Sequence, residues 1–265
     1  MSWQSSTVAV DRDYKKDVQL SFQLNHWILK PLGAWPRSPG LSRANRSIYL
    51  LLNIICVSLV CFLVIPCVMF IVLDAEDLQH TVEICGAVSF CLKDIVKYSS
   101  IIFREGDIRK GIEYIENDWM NTRYYDDRSI MIKSAKFGRR LVAACAFFMY
   151  GSAAFYYIAV PFSKGKITEP DGNLTYQPLM WPVARMIIDV RYSPVNEIFF
   201  WLQCVSGFVA HSMTTGACSL AVVFAMHAYG RLELLIRSIE HLIDGRENSR
   251  GNVDDRLAMI VQQHV

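Results

Sequence analysis

Residues 48–73 read IYLLLNIICVSLVCFLVIPCVMFIVL, 26 consecutive positions without Asp, Glu, Lys or Arg. A helix needs about 20 predominantly apolar residues to cross the hydrocarbon layer of a bilayer, so this block predicts a membrane span with length to spare. At about 1.5 Å per residue it outruns a layer of about 30 Å, which predicts a tilt, and Pro66 offers a place to bend. The block opens only after 47 mostly polar residues and is too long for the apolar part of a signal peptide. It is therefore expected to stay in the mature protein.

Outward from this block the pattern repeats. Residues 141–161 and 198–228 are also free of the four charged residue types and predict two further spans. Residues 78–103 carry Glu83, Lys93, Asp94 and Lys97, charges that cost a few kcal/mol each near the bilayer centre. They still predict a span. Glu83 and Lys97 lie toward the ends, Asp94 and Lys97 are three apart and can pair on one helix face, and Lys93 can stretch toward the interface. The fold class that follows is all-α, a polytopic helical membrane protein with four spans, joined by segments 1–47, 74–77, 104–140, 162–197 and 229–265.

Net charge is only +2, but the charges are segregated. Segments 1–47, 104–140 and 229–265 hold 21 Lys and Arg, whereas 74–77 and 162–197 hold four (Lys164, Lys166, Arg185, Arg191). The positive-inside rule puts the N-terminus and the first set in the cytoplasm and leaves the other two loops outside. The sequon Asn173-Leu174-Thr175 falls in the long outer loop, so Asn173 is the expected glycosylation site, while Asn45-Arg46-Ser47 lies on the inner side.

Chemistry-bearing motifs are few. All eight cysteines lie within the spans, where they act as small apolar residues and offer no extracellular disulfide framework. No Cys-x-x-Cys occurs, the six histidines have no metal-ligand spacing, and neither a phosphate loop nor a nucleophile elbow is present. The reading is of a protein that is not an enzyme, needs no cofactor or metal, and does not bind nucleic acid.

Two stretches carry a family resemblance. Residues 24–36, LNHWILKPLGAWP, end in a Gly-x-Trp-Pro-like element just before the first span. Residues 227–235, HAYGRLELL, continue amphipathically to Gly245. Both resemble insect odorant receptors, the seven-span, odorant-gated channel subunits, and the first is especially similar to receptors of ants and bees. The resemblance implies an inverted topology with seven spans, of which four are present here, and a chain shortened at its C-terminus. Leu257, Ile260, Val261 and His264 would then begin a further helical face that stops at Val265. It also implies a small volatile odorant as ligand, a shared co-receptor as partner, cation-channel gating, and a place in the cell membrane of the olfactory neuron dendrite.

The family places odorant among the outer halves of the second, third and fourth spans. On the second that nominates Gly86, Ser89 and Phe90, and on the fourth Phe208, Val209 and Ser212. On the third, Tyr150, Ala154 and Ile158 are spaced by four and read as either a pocket wall or a packing seam. Tyr156 and Tyr157 read as an interfacial aromatic belt, His211 as a buried and satisfied histidine, and Ala217, Ala221 and Ala225 as helix packing. The alternatives are a fragment of a G-protein-coupled chemoreceptor or of a transporter. The first would put the N-terminus outside against the charge bias, and the second would show a broken-helix repeat that is not seen.

Overall fold

Helices account for nearly all the regular structure. The computed structural model describes residues 5–37, 40, 42–73, 78–122, 125–168, 175–184 and 188–243. In chain order the elements are α1 (Ser5–Leu29), α2 (Arg43–Leu73), α3 (Leu78–Phe103), α4 (Glu105–Asn121), α5 (Tyr125–Ala154), a π-helical turn (Phe155–Ala159), α6 (Val160–Lys164), β1 (Ile167–Thr168), β2 (Thr175–Tyr176) and α7 (Val195–Ile243). The strands form a short antiparallel ribbon that pairs Ile167 with Tyr176 and Thr168 with Thr175. Asn173, the short loop 74–77 and the C-terminal face from Leu257 lie outside the described residues.

By length and composition, three helices can cross a membrane: Arg43–Leu73, Asp127–Ser163 and Val195–Glu240. At 26 residues α3 is also long enough, and its four charges set it apart from them. It packs along α2. The helices outrun the apolar blocks: α5 starts 16 residues before Leu141, and α7 continues 15 residues past Ala228.

The described residues divide between two units. The larger comprises Leu24–Lys110 and Val142–Leu220. Its core is aliphatic and small-residue rich, with Leu29, Val60, Leu63, Cys67, Cys91, Ala153 and Met213 out of solvent. Tyr98 is buried with them, and its hydroxyl donates to the Leu32 carbonyl. The Asn53 amide, turned so that its nitrogen meets acceptors, donates to Leu32 O at 3.2 Å, Gly33 O at 3.1 Å and Tyr98 Oη at 2.9 Å. This cluster explains the Gly-x-Trp-Pro-like stretch. Gly33 ends α1 with φ at +69°, and a Cβ there would also lie 2.8 Å from the Asn53 side chain. Glycine alone fits both constraints at low cost.

Just beyond that stretch, Arg37 grips Glu105 in the first turn of α4. Its backbone N–H donates at 2.8 Å, its Nε at 2.9 Å to both oxygens, and an Nη also donates to the carboxylate. These hydrogen bonds hold the Glu105 carboxyl below the usual carboxylate range and raise Arg37 above its ordinary value. An acidic residue in the first turn also meets the positive end of the helix dipole.

The smaller unit comprises Met1–Gln23, Gly111–Leu141 and Ala221–Val265. Small residues bring its helices close. A Cβ on Gly111 would meet Phe224 at 2.8 Å, and one on Gly138 would meet Met226 at 3.1 Å. Polar pairs add register: Arg128 binds Asp17 at 2.7 Å, and Arg139 donates to Gln23 at 3.1 Å. Asp118 is buried and accepts from His227 Nε2 at 2.9 Å and Arg231 Nε at 3.3 Å.

Candidate functional site

The candidate site lies within the larger unit, where α3, the end of α5 and the first half of α7 face one another. Of the residues named from the sequence, the structure brings together Tyr150 and Ser212, whose hydroxyls are 3.0 Å apart with Tyr150 donating. Ser212 in turn donates to the Phe208 carbonyl, one turn back on its own helix, at 2.8 Å. Phe90 on α3 joins them through His211, with ring centroids 5.3 Å apart. Ala154 and Val209 are half-buried.

The other named residues stand apart. Gly86 and Ser89 are exposed on α3, and Ser89 Oγ bonds Cys85 O at 2.7 Å. Ile158 is 42% exposed, so the four-residue spacing from Tyr150 does not carry it into the cluster. The buried stripe of this span runs instead through Ala153, Tyr157 and Pro161.

Tyr157 corrects the aromatic-belt reading. Tyr156 is 47% exposed, as a belt residue would be, but Tyr157 is only 2% exposed. Its ring lies where a Cβ on Gly207 would stand, and it packs against Phe208 and His211 at centroid distances of 6.3 Å and 5.9 Å. Its hydroxyl accepts from Trp181 Nε1 at 3.3 Å. Trp181, from the stretch between β2 and α7, is fixed by Gln203, which accepts from its N–H at 3.2 Å and donates to its carbonyl at 2.9 Å. The signal for this arrangement was Gln203, an amide in an otherwise apolar block, which must find polar partners when buried.

The backbone bends to suit. Proline at position 161 has no N–H to give the carbonyl of Tyr157 four residues earlier. The Cys204 thiol donates to that carbonyl at 3.4 Å, and the π-helical turn Phe155–Ala159 precedes it, closed by Val160 N–H on Phe155 O. Cys67 similarly donates to Pro182 O at 3.7 Å, and all eight cysteines are free. His211 is satisfied as expected, its Nδ1 2.9 Å from Gly207 O.

The charged group of α3 differs from its sequence reading. Asp94 is fully buried and accepts from the Thr214 hydroxyl on α7 rather than pairing with Lys97, whose Nζ lies 3.8 Å from Cys218 Sγ. Lys93 does not extend toward the helix's inner end. Its Nζ sits 4.9 Å over the Phe90 ring, one turn toward the outer end. A hydrogen bond to a neighbouring helix has displaced the local pair that sequence spacing suggests.

The cluster's chemistry is that of recognition. Aromatic faces surround a few hydroxyls, and no group of three or more metal-binding side chains occurs among the described residues. A family model described as 7tm Odorant receptor matches residues 77–265. No curated protein matches the chain. Among solved structures, the chain is similar to the insect olfactory receptor OR5 of Machilis hrabei, with a TM-score of 0.61 and 17% identity. The match covers 95% of this chain and 64% of that one. The same receptor in complex with eugenol matches with a TM-score of 0.60, at the same identity and coverage.

Proposed function

The chain belongs to the 7tm odorant receptor family, and from that premise we propose that it binds a small volatile molecule in the outer half of its helical bundle and, with a shared co-receptor, gates a cation channel. It is a helical membrane protein of a receptor family; the cell membrane of the olfactory neuron dendrite is its proposed place. The chain spans 64% of the length of the solved receptors it resembles, so the activity of a whole receptor belongs to this proposal.

The observation that carries the reading is the meeting of Tyr150 with Ser212 and of Phe90 with His211. It sets two hydroxyls among aromatic faces, the mixture expected of a pocket for a mostly apolar ligand with one polar handle. The eugenol complex of the similar receptor supports a small volatile ligand. In this reading Phe90, Tyr150, Ala154, Phe208, Val209 and Ser212 line the pocket. Gly86, Ser89 and Ile158, now exposed, join it where further protein covers that face. Asn173 is the proposed glycan acceptor of the outer loop.

Enlarging Ala154 tests the pocket. Ala154→Leu, in a receptor carrying whatever its transcript encodes after codon 265, removes room for about three heavy atoms. One methylene in an apolar pocket is worth about 1 to 3 kcal/mol, so the preferred odorant should shift toward shorter members of a homologous series. Overfilling a helix contact also costs about 1 to 3 kcal/mol, so surface labelling accompanies the dose-response curves. A receptor that reaches the surface normally and keeps its relative potencies would place Ala154 outside the pocket.

Orientation is tested by tags. One at residue 1 should meet antibody only after permeabilisation, and one inserted beside Gly172 should meet it on intact cells. Staining of the N-terminal tag on intact cells would reverse the proposed topology.

A further inference from the structure

Three charged side chains, Lys93, Asp94 and Lys97, lie within four residues of α3, and their sum is one positive charge. Asp94 cannot serve both lysines. It is fully buried and turned to Thr214, while Lys93 leaves the helix about 100° away from it. Lys97 faces Cys218 and α7. Lys93 is exposed and has no hydrogen bond or ion pair among the described residues, its ammonium resting on the Phe90 ring. Phe103 ends the helix ten residues on, about 15 Å along the axis, so the ammonium has no short path to the headgroups on that side. It points toward the candidate ligand cluster instead, since the same Phe90 ring meets His211.

An ammonium has three N–H donors, and an aromatic face offers none of them an oxygen acceptor. In an apolar layer such a group demands a partner. We propose that Lys93 is the polar recognition group of the ligand site, selecting volatiles with an accessible acceptor oxygen, a carbonyl or a carboxylate, over hydrocarbons of equal size. This rests on the pocket reading above. Phe90 fixes the ammonium from one side, and the ligand oxygen accepts from the N–H groups turned away from the ring.

The test compares straight-chain hydrocarbons, methyl ketones and carboxylic acids of matched carbon number on the full-length receptor, expressed with its co-receptor and checked by surface labelling. Lys93→Met is expected to weaken ketones and acids by about ten- to a hundredfold relative to hydrocarbons, the usual effect of losing a hydrogen bond to a charged group. A larger loss for acids marks charge pairing, and an equal loss marks hydrogen bonding alone; either supports the proposal. Unchanged oxygenate-to-hydrocarbon ratios overturn it, as does a wild-type receptor silent to both oxygenated series. Where Lys93→Met fails to reach the surface, Lys93→Arg keeps the charge on a wider, longer head. It should shift the preferred oxygenate toward shorter chains without shifting the hydrocarbons; an unshifted ranking also overturns the proposal. Ala154→Leu separates the two ideas. If it moves chain-length preference while Lys93→Met moves no ratio, the pocket stands and Lys93 is not its polar group; if neither moves anything, both fall.

Discussion

Asp118→Ala is expected to cost about 3 to 5 kcal/mol, the usual consequence of removing one member of a buried charged cluster. The carboxylate is 7% exposed and accepts from both His227 Nε2 and Arg231 Nε, and Trp119 packs beside the same histidine with ring centroids 6.5 Å apart. Without the carboxylate, two polar groups of α7 lose an acceptor that no solvent molecule readily replaces. Thermal unfolding of the detergent-solubilised protein, followed by fluorescence-detected gel filtration, should show a large drop in midpoint. Asp118→Asn keeps an oxygen for His227 and should lose far less. Equal midpoints for wild type and Asp118→Ala would refute a structural role for the cluster.

Gly207→Val is the second large effect, because even one added carbon at position 207 falls within the Tyr157 ring. Overpacking usually costs about 1 to 3 kcal/mol, and a branched side chain against an immovable ring belongs at the upper end. Tyr157 cannot swing away without giving up the indole hydrogen bond from Trp181. The Gly207→Ala and Tyr157→Leu pair provides the control. Each alone should lower the unfolding midpoint, and together they should lose less than the sum, with a coupling of about 0.5 to 3 kcal/mol. Strict additivity would mean that the two residues do not press on each other.

The same contact marks where sequence reading succeeds and where it stops. Charge-free runs are legible because hydrocarbon leaves a chain few choices, so residues 48–73 announce α2 with only its ends in doubt, α2 starting at Arg43. Residues 78–103 are a helix in spite of four charges. The ends of α5 and α7 were less legible, because a helix continues past the apolar block wherever its amphipathic extension finds packing partners.

Within the site, Phe90, Tyr150, Phe208 and Ser212 fall into one cluster as the family resemblance implied, but Ile158 does not. Pairings across helices were beyond spacing arguments. Asp94 and Lys97 are three residues apart, which is all that a single helix can display, whereas Thr214 lies 120 residues away and takes the carboxylate. Tyr157 was misjudged for a related reason. An aromatic residue near a span's outer end suits an interfacial belt until the facing helix supplies a glycine that leaves room for its ring.

The π-helical turn at Phe155–Ala159 also bears on how such receptors diverge. In a regular helix, gaining or losing one codon turns everything beyond it by about 100° and ruins the packing of the rest of the span. A π turn already holds an extra residue in its hydrogen-bonded ring. One codon can be lost there and the ring closes to ordinary geometry, leaving Pro161 and the stretch that follows nearly in place. The end of this span is thus a site where receptor lineages can differ in length by one residue and still present Tyr150 and Ala154 to the same neighbours.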